Sequence, residues 1–385
     1  MSMEIEYSTI GDFGEVVMGM SPKGDTYNEE EEGLPLLNGP TEFGSSHPIP
    51  SLFTTDSKRE SNIGDLIFCV RGSTTGRMNW ANQIYSLGRG VCAIRGKTDN
   101  DTKYIKYVLD VKLNSLLKFA GGGTFPNLKK DDIKDFKIPI LKEKDKLVSI
   151  ISAYDNLIEN NLKRIKLLEQ AAQNIYKEWF VNLRFPGHEN KSINEDTGLP
   201  DGWCKMNLYD FAEIQMGYAF KAKDFNDEMA GNPAIRIRDI LDGWTKTYTT
   251  ETVNEKYYVE HGDILIGMDG IFHMGIWSGQ EKALLVQRVC RLRANNKNLQ
   301  GYLLESLRAP IKYYEQTISG ATVAHLGAKH LKEIFILIPD EKLLNKLSLF
   351  NTFDSQIITL NKQNQKLKAA RDILLPRLMN RTIEV

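Results

Sequence analysis

Residues 90–98 have the residue types of a loop that binds phosphate groups. The segment reads Gly-Val-Cys-Ala-Ile-Arg-Gly-Lys-Thr, and a P-loop uses such glycines and a lysine to surround the phosphates of a nucleotide. Five residues separate the two glycines here, whereas a P-loop has four, so the backbone amides would not align on the phosphates. We therefore interpret this segment as a strand followed by a turn.

Other combinations that could carry catalysis or bind a metal are also incomplete. His325 and His330 are five residues apart, a spacing that does not place both imidazoles on one helix face for a metal ion. An adenine methyltransferase needs an Asn/Asp-Pro-Pro-Tyr/Phe loop, and the nearest match, at 232–235, reads Asn-Pro-Ala-Ile. The three glycines at 121–123 are interpreted as a turn. We expect no catalytic, cofactor or metal site in this chain.

The elements that would position functional residues occur twice, because the sequence repeats itself. The pattern Asp-Phe-x-Glu-x-x-Met-Gly at 12–19 recurs at 210–217, a shift of 210 − 12 = 198 residues. A repeat with a period of half the chain indicates two homologous units. At the same shift Asp269 corresponds to Arg71. A catalytic acid would not be exchanged for a base between copies, so the repeat also argues against catalysis.

The composition is that of a globular protein with two to three domains. The 385 residues include 49 Lys+Arg and 50 Asp+Glu, for a net charge of −1, and 41% are hydrophobic. The acidic N-terminal segment and the short apolar runs predict neither a secretory signal nor a membrane span. Four separated cysteines without a CxxC pair favour a reduced, cytoplasmic location. The balanced charge argues weakly against nucleic-acid binding, although acidic patches such as 29–32 could offset a basic face.

Each repeat combines a mixed α/β region with a long helix. Strand-like runs at 65–70 and 263–266 lie within the two α/β regions. A Pro-Gly pair at 186–187 ends the first helix. The predicted fold is α/β (α+β) in tandem duplicate, with globular domains at 1–140 and 201–339, helices at 141–185 and 340–385, and a linker at 186–200.

Both predicted helices have the alternating three- and four-residue spacing of a coiled coil. The predicted seam consists of Ile151, Ile158, Asn161, Ile165 and Leu168 in the first helix and Ile357, Leu360, Asn364 and Leu367 in the second. One asparagine in each seam is the residue choice that sets register in coiled coils. Roughly 35 helical residues span about 50 Å, more than one small domain covers. We therefore predict an antiparallel coiled coil, the alternative being a helix that lies on its own domain.

The order of these parts resembles the specificity (S) subunit of Type I restriction–modification enzymes over essentially the whole chain. The resemblance rests on Gly-Asp-[Leu/Ile]-[Ile/Leu] at 64–67 and 262–265, and on Gly-Gly-Thr…Leu at 122–128. It also includes Leu-Pro-Asp-Gly-Trp at 199–203 and Trp-Phe-Val at 179–181. The duplicated order of these motifs carries the resemblance, because none of them is specific alone.

The resemblance implies a non-catalytic subunit whose domains at 1–140 and 201–339 are target-recognition domains. Each would read half of a bipartite site in double-stranded DNA, and the diverged copies imply an asymmetric site. The two helices would set the spacing and dock two methyltransferase subunits. Those subunits would bring S-adenosylmethionine and flip an adenine out of the stack. An ATP-dependent restriction subunit is a further partner in such systems.

Base contacts do not transfer between members of this family, so candidate DNA contacts follow from residue type and loop position. Arginine can bridge guanine O6 and N7, and asparagine can bridge adenine N6 and N7. The candidates are Lys23, Arg71, Ser73, Thr74, Thr75, Arg77, Asn79, Thr124 and Asn127 in the first copy and Lys221, Lys223, Arg236, Arg238, Asp269, His273, Thr322 and His325 in the second. The alternative for each is a solvated loop residue or a phosphate contact.

Two further questions stay open at this level. Phe180 lies off the seam and is predicted to contact a partner subunit, with core packing as the alternative. The chain could also be the DNA-recognition subunit of a fused restriction–methylation (Type IIB-like) system, or a coiled-coil scaffold that binds carbohydrate or protein. The scaffold would lack the salt-dependent DNA affinity that arises when a protein neutralises phosphates.

Overall fold

The computed structural model describes residues 6–121, 126–318 and 324–383. The chain divides into two compact units, one formed by Met1–Glu159 with Leu367–Val385 and the other by Asn160–Lys366. Each unit therefore contains a globular domain together with parts of both long helices. The predicted boundaries treated the helices as separate segments, whereas the compact units include them.

The first unit contains two four-stranded sheets and a two-stranded pair. Its strands are β1 (Tyr7–Thr9), β2 (Gly14–Met18), β3 (Tyr27–Asn28), β4 (Leu34–Leu37), β5 (Phe53–Thr54), β6 (Leu66–Cys69), β7 (Met78–Trp80), β8 (Ser86–Leu87), β9 (Val91–Gly96) and β10 (Lys137–Pro139). Its helices are α1 (Ile10–Phe13), α2 (Asp99–Leu117), α3 (Lys130–Lys134) and the first part of α4 (Lys144–Tyr176). The sheet orders are β2-β9-β6-β7, β3-β5-β4-β8 and β1-β10.

Strand β6 is apolar throughout because both of its faces are buried. Leu66 and Phe68 pack in the core that includes helix α2, whereas Ile67 and Cys69 pack in a second core on the opposite face. Successive strand residues point to opposite sides of a sheet, so a strand between two cores has no polar face. The continuous apolar run of the sequence follows from this position.

The second unit repeats this arrangement with one additional strand. Its strands are β11 (Cys204–Asn207), β12 (Ala212–Met216), β13 (Phe225–Asn226), β14 (Asn232–Ile235), β15 (Tyr248–Thr249), β16 (Tyr258–Val259), β17 (Ile264–Gly267), β18 (Met274–Ile276), β19 (Ala283–Leu285), β20 (Val289–Ala294) and β21 (Phe335–Ile338). Its helices are α5 (Leu208–Phe211), α6 (Gln300–Thr317), α7 (Ala328–Lys332), α8 (Glu341–Leu344) and most of α9 (Ser348–Met379). The sheet orders are β12-β20-β17-β18, β13-β15-β14-β19-β16 and β11-β21.

The repeated Gly-Asp motif has a structural role in both units. The buried carboxylate of Asp65 accepts two hydrogen bonds of 2.8 Å from the Arg95 guanidinium. Asp263 and Arg293 form the same pair in the second unit. Bidentate arginine–carboxylate pairs combine charge with fixed geometry. The motif therefore joins two neighbouring strands of each sheet through their side chains.

The long helices differ from the predicted segments at their ends. Helix α4 continues into a π-helical turn at Lys177–Val181. Asp340 caps α8 through a 2.9 Å hydrogen bond from the backbone amide of Leu343, and α9 begins only at Ser348. The predicted C-terminal helix is therefore interrupted near its beginning. No helix in the described part of the chain has the length and apolar character that a membrane crossing requires.

Contacts between α4 and α9 occur within each unit. In the second unit Asn161 pairs with Asn364, and Ile165 packs against Ile357 and Leu360. These residue numbers run in opposite directions, so the two helix segments are antiparallel there. Leu168 is partly buried against the same cluster. In the first unit Ile158 is buried and Leu367 is half-buried, while Ile151 shares the core with residues of α9.

The prediction that Phe180 contacts a partner subunit is wrong. Its side chain is only 4% exposed, and its ring centroid lies 4.8 Å from that of Tyr302 and 5.4 Å from that of Trp203. The π-helical turn at Lys177–Val181 directs the ring into the core of the second unit. An off-seam position does not imply exposure where a helix also packs against its own domain.

Candidate nucleic-acid interface

The loop between β6 and β7 presents polar side chains at the surface of the first unit. Arg71 forms an isolated backbone bridge with Asn127, which brings these two candidates together. Thr75 donates its hydroxyl to the carbonyl oxygens of Gly72 and Pro126, at 2.8 and 3.1 Å. The Thr75 side chain therefore holds the loop in shape, while Arg71 and Ser73 are exposed.

Two other candidates in this loop make local contacts. The Thr74 hydroxyl lies 4.0 Å from the sulfur of Cys69. Arg77 is exposed, donates to the carbonyl of Pro40 at 3.4 Å and lies 6.0 Å from the Phe43 ring centroid. These long contacts leave most of the Arg77 guanidinium accessible to an anion such as a phosphate.

The structure contradicts the expectation that Asn79 is exposed for base contact. Asn79 lies in β7 and is only 6% exposed. Its amide donates hydrogen bonds to the carbonyls of Gly44 at 3.2 Å and Met78 at 3.0 Å. The strand resumes before this residue, and its side chain points into the unit, so it does not reach a base.

Lysines occupy one equivalent position in both units. Lys23 and Lys221 each precede a short 3₁₀ turn, both are exposed, and the repeat shift relates them. Lys223 is exposed within the second of these turns. Mobile exposed ammonium groups suit phosphate contacts more than base readout. Thr124 and Thr322, the remaining candidates at repeat-related positions, lie outside the described residues.

In the second unit, the position of Arg71 and Asn127 is taken by Asp269 and His325. These two residues form the equivalent backbone bridge, and His325 Nδ1 lies 2.6 Å from the Asp269 carboxylate. Arg288 Nε lies 3.3 Å from the other oxygen of Asp269. His273 is half-buried in the same loop, where its backbone carbonyl accepts from Gly267. The structure thus joins Asp269 and His325 to Arg288, which the sequence analysis did not select.

An open cleft of about 510 Å³ lies beside this cluster. Its lining is basic and aromatic, and consists of Phe220, Phe225, Arg236, Ile237, Arg238, Val286, Gln287 and Arg288. The Arg236 guanidinium lies 4.6 Å from the Phe225 ring centroid, within the range of a cation–π contact. Arg238 is largely exposed and lies 3.9 Å from Asp239. The sequence did contain a signal for Arg288. At the repeat shift Arg288 corresponds to Gly90, so this arginine is a basic residue that only one copy has.

The described residues contain no group of three or more acidic, histidine or cysteine side chains arranged to hold a metal ion. Burial raises the pKa of the Cys69 and Cys92 thiols and raises that of Cys290 to about 12. These thiols are protonated at neutral pH and are therefore poor nucleophiles. Several exposed loop residues of both units are instead hydrogen-bond donors or cations, which suit binding to a polyanion: Arg71, Ser73, Arg77, Lys221, Lys223 and Arg238.

A family model described as "Type I restriction modification DNA specificity domain" matches residues 3–170 and 200–369. The Type I restriction enzyme MjaIX specificity subunit of Methanocaldococcus jannaschii is 26% identical over 295 residues, which cover 72% of this chain and 68% of that protein. The MjaVIII specificity subunit of the same organism is 25% identical over 402 residues, covering 99% and 93%. The EcoBI specificity subunit of Escherichia coli is 34% identical over 191 residues, covering 48% and 40%.

A solved structure has a similar fold. The crystal structure of the Type-I restriction-modification system S subunit from M. genitalium superimposes with a TM-score of 0.58 at 17% identity, covering 97% of this chain and 96% of that chain. The two segments that match the family model also coincide with the two copies of the internal repeat.

Proposed function

Because the chain belongs to the Type I restriction–modification DNA specificity family and carries two of its domains in tandem, we propose that it reads a bipartite, asymmetric site in double-stranded DNA. The family resemblance drawn from the repeated motifs is confirmed by this match. One observation carries the proposal furthest: the same backbone bridge holds Arg71 and Asn127 in one unit and Asp269 and His325 in the other.

A protein that recognises two different half-sites needs two domains with the same backbone framework and different recognition side chains. Arg71 and Asn127 offer donors that fit guanine and adenine edges. The corresponding cluster of Asp269, His325 and Arg288 combines an acid, an imidazole and a guanidinium. Because base edges are distinguished by donor and acceptor patterns, these two surfaces would select different half-sites.

We also propose that the long helices form an antiparallel coiled coil that sets the spacing between half-sites. Support comes from the Asn161–Asn364 hydrogen bond and the packing of Ile165 in the second unit, and from the 2.7 Å Arg371–Asp155 ion pair in the first. A polar pair at a seam favours one register over others. A defined register is what a fixed spacer length requires.

Two methyltransferase subunits are the proposed partners, and they would bring S-adenosylmethionine, so catalysis is not assigned to this chain. Exposed apolar side chains on the long helices favour docking there: Leu157 is 51% and Leu167 is 64% exposed. ATP-dependent restriction subunits would join the same assembly for cleavage. A fused restriction–methylation system remains the alternative, since the two differ only in the partner. The cytoplasmic location stays a prediction.

Mapping methyladenine across the host genome by single-molecule sequencing tests this function. The comparison is between cells with the gene and cells in which it is deleted, with the methyltransferase gene intact and expressed in both. Loss of one bipartite, asymmetric motif on deletion is the expected result. An unchanged methylome would overturn the proposal, and absence of salt-dependent DNA affinity would favour the scaffold alternative.

A further inference from the structure

Two arginine side chains in the cleft of the second unit are each held by a neighbouring side chain. Arg236 stacks on the Phe225 ring at 4.6 Å, which leaves the N–H edges of the guanidinium free to donate in its plane. Among the described residues, no carboxylate forms an ion pair with Arg236. Arg288 is held at 3.3 Å by Asp269. An arginine that is already ordered loses less rotamer freedom when it forms a bidentate contact.

The equivalent positions of the first unit lack this arrangement. At the repeat shift of 198 residues, which also relates β13 to β3 and β14 to β4, Arg236 corresponds to Asn38 and Arg288 to Gly90. The aromatic platform is retained, since Phe225 corresponds to Tyr27. Arg236 and Arg288 are therefore specific to the second unit, as is the third arginine of the cleft, Arg238, which corresponds to Pro40.

The presence of these arginines in only one copy bears on whether they contact bases or phosphates. The phosphate backbone has the same chemistry at both half-sites, so a phosphate contact can be shared between the units, whereas base contacts must differ wherever the two half-sites differ. Lys23 and Lys221 are shared and fit that role. Arg236 and Arg288 are unshared, as expected of side chains that read different bases.

We infer that Arg236 and Arg288 each read a guanine of the half-site that the second unit recognises, and that Asp269 positions Arg288. The inference rests on the proposed function and assigns specific residues within it. The Asp269 carboxylate already contacts His325 and Arg288, so it orients a donor and does not itself accept a hydrogen bond from cytosine. A guanidinium fork matches O6 and N7 of guanine, a fit that an ammonium group does not reproduce.

The test is methylome mapping in the host, with the complete system, for variants of the chromosomal gene. Arg236→Lys keeps the charge and loses the fork. We expect the motif to relax at one G·C pair of one half-site, with about a 10- to 100-fold loss of preference there, while the other half-site stays unchanged. Arg184→Lys is the matched control, because Arg184 is an exposed arginine of the same unit that lies outside the cleft. It should leave the motif intact.

Arg288→Lys should relax a different G·C pair of the same half-site, and Asp269→Asn should relax that same pair. If Asp269 had only a structural role, Asp269→Asn would lower methylation at all sites and would not specifically affect the base pair that Arg288 reads. Thermal unfolding of each purified variant identifies folding failure, and the Arg288 variant decides the question if Arg236→Lys does not fold.

Three outcomes would overturn the inference. They are uniform weakening at all sites, which indicates phosphate contacts, relaxation at an A·T pair, and an unchanged motif in folded Arg236→Lys and Arg288→Lys variants. Failure of the proposed function gives a different result. In that case the methylome would be the same with the wild-type gene as without it.

Discussion

The side-chain amide of Asn161 donates a 2.9 Å hydrogen bond to the side-chain oxygen of Asn364, and both residues are almost completely buried. The pair lies between α4 and α9 in the second unit, next to the apolar contacts of Ile165 with Ile357 and Leu360. Among the described residues, the amide nitrogen of Asn364 has no hydrogen-bond partner. This polar contact therefore makes the protein less stable than an apolar pair would. Its contribution is to favour one register of α4 against α9.

Replacing one member of this pair should destabilise the protein. Asn161→Ala leaves the Asn364 side chain buried without its partner, which should cost about 1–3 kcal/mol in the free energy of unfolding measured by urea denaturation. The double variant Asn161→Leu with Asn364→Leu should be at least as stable as the wild type, because both polar groups are removed together. A neutral single variant would contradict the role of this hydrogen bond.

The Asp263–Arg293 pair should contribute strongly to the stability of the second unit. Asp263→Ala leaves the Arg293 guanidinium without its bidentate partner, and we expect a loss of about 2–4 kcal/mol in urea unfolding. Glu260 supplies the control: it lies 3.3 Å from the same arginine but is 74% exposed at its side chain. Glu260→Ala should change stability by less than about 1 kcal/mol. Equal effects of the two variants would refute the structural role of the Gly-Asp motif.

Stability should fall as pH rises toward neutrality because of a partly buried acidic side chain in the second unit. Burial, with a smaller contribution from the Glu305 carboxylate, raises the pKa of Asp354 to about 7, while Arg308 opposes the shift. Burial also raises the pKa of Glu305 and of Glu169. The folded state then keeps a proton that the unfolded chain releases, so stability declines between about pH 4 and pH 7.

The control for this pH dependence is Asp354→Asn, which removes the titrating group but retains its shape. The variant should gain about 1–3 kcal/mol over the wild type at pH 8 and should match it more closely at pH 4. Thermal unfolding of both proteins across this range provides the measurement. If the difference in stability between the two proteins did not change with pH, the pKa of Asp354 would not be raised in the folded state.

Docking of a methyltransferase subunit on the helices should depend on exposed apolar side chains. Leu167 is 64% exposed on α4, so Leu167→Glu should leave the melting temperature unchanged and reduce co-purification of the methyltransferase subunit at least about tenfold. Lys166→Glu introduces the same side chain at the adjacent exposed position and should retain more of the complex. Intact assembly of the Leu167 variant would place the docking surface elsewhere.

Residues whose environment depends on distant segments were the ones that pattern analysis misplaced. Phe180 is off the helix seam, yet Trp203 and Tyr302, far along the chain, surround its ring. Asn79 follows a polar loop, but the segment around Gly44 covers it. Periodicity describes one element at a time and holds no information about what packs against it.

The sequence by itself determined the duplication, the order of domain and helix in each half, and the polar position in each helix seam. These features depend on local spacing and on comparison of the chain with itself, and both are complete in one sequence. Only the tertiary structure decided which side chains meet, as Asp269, Arg288 and His325 do from three separate segments. Such convergence depends on strand pairing and loop closure, and these join residues whose separation along the chain carries no periodic signal.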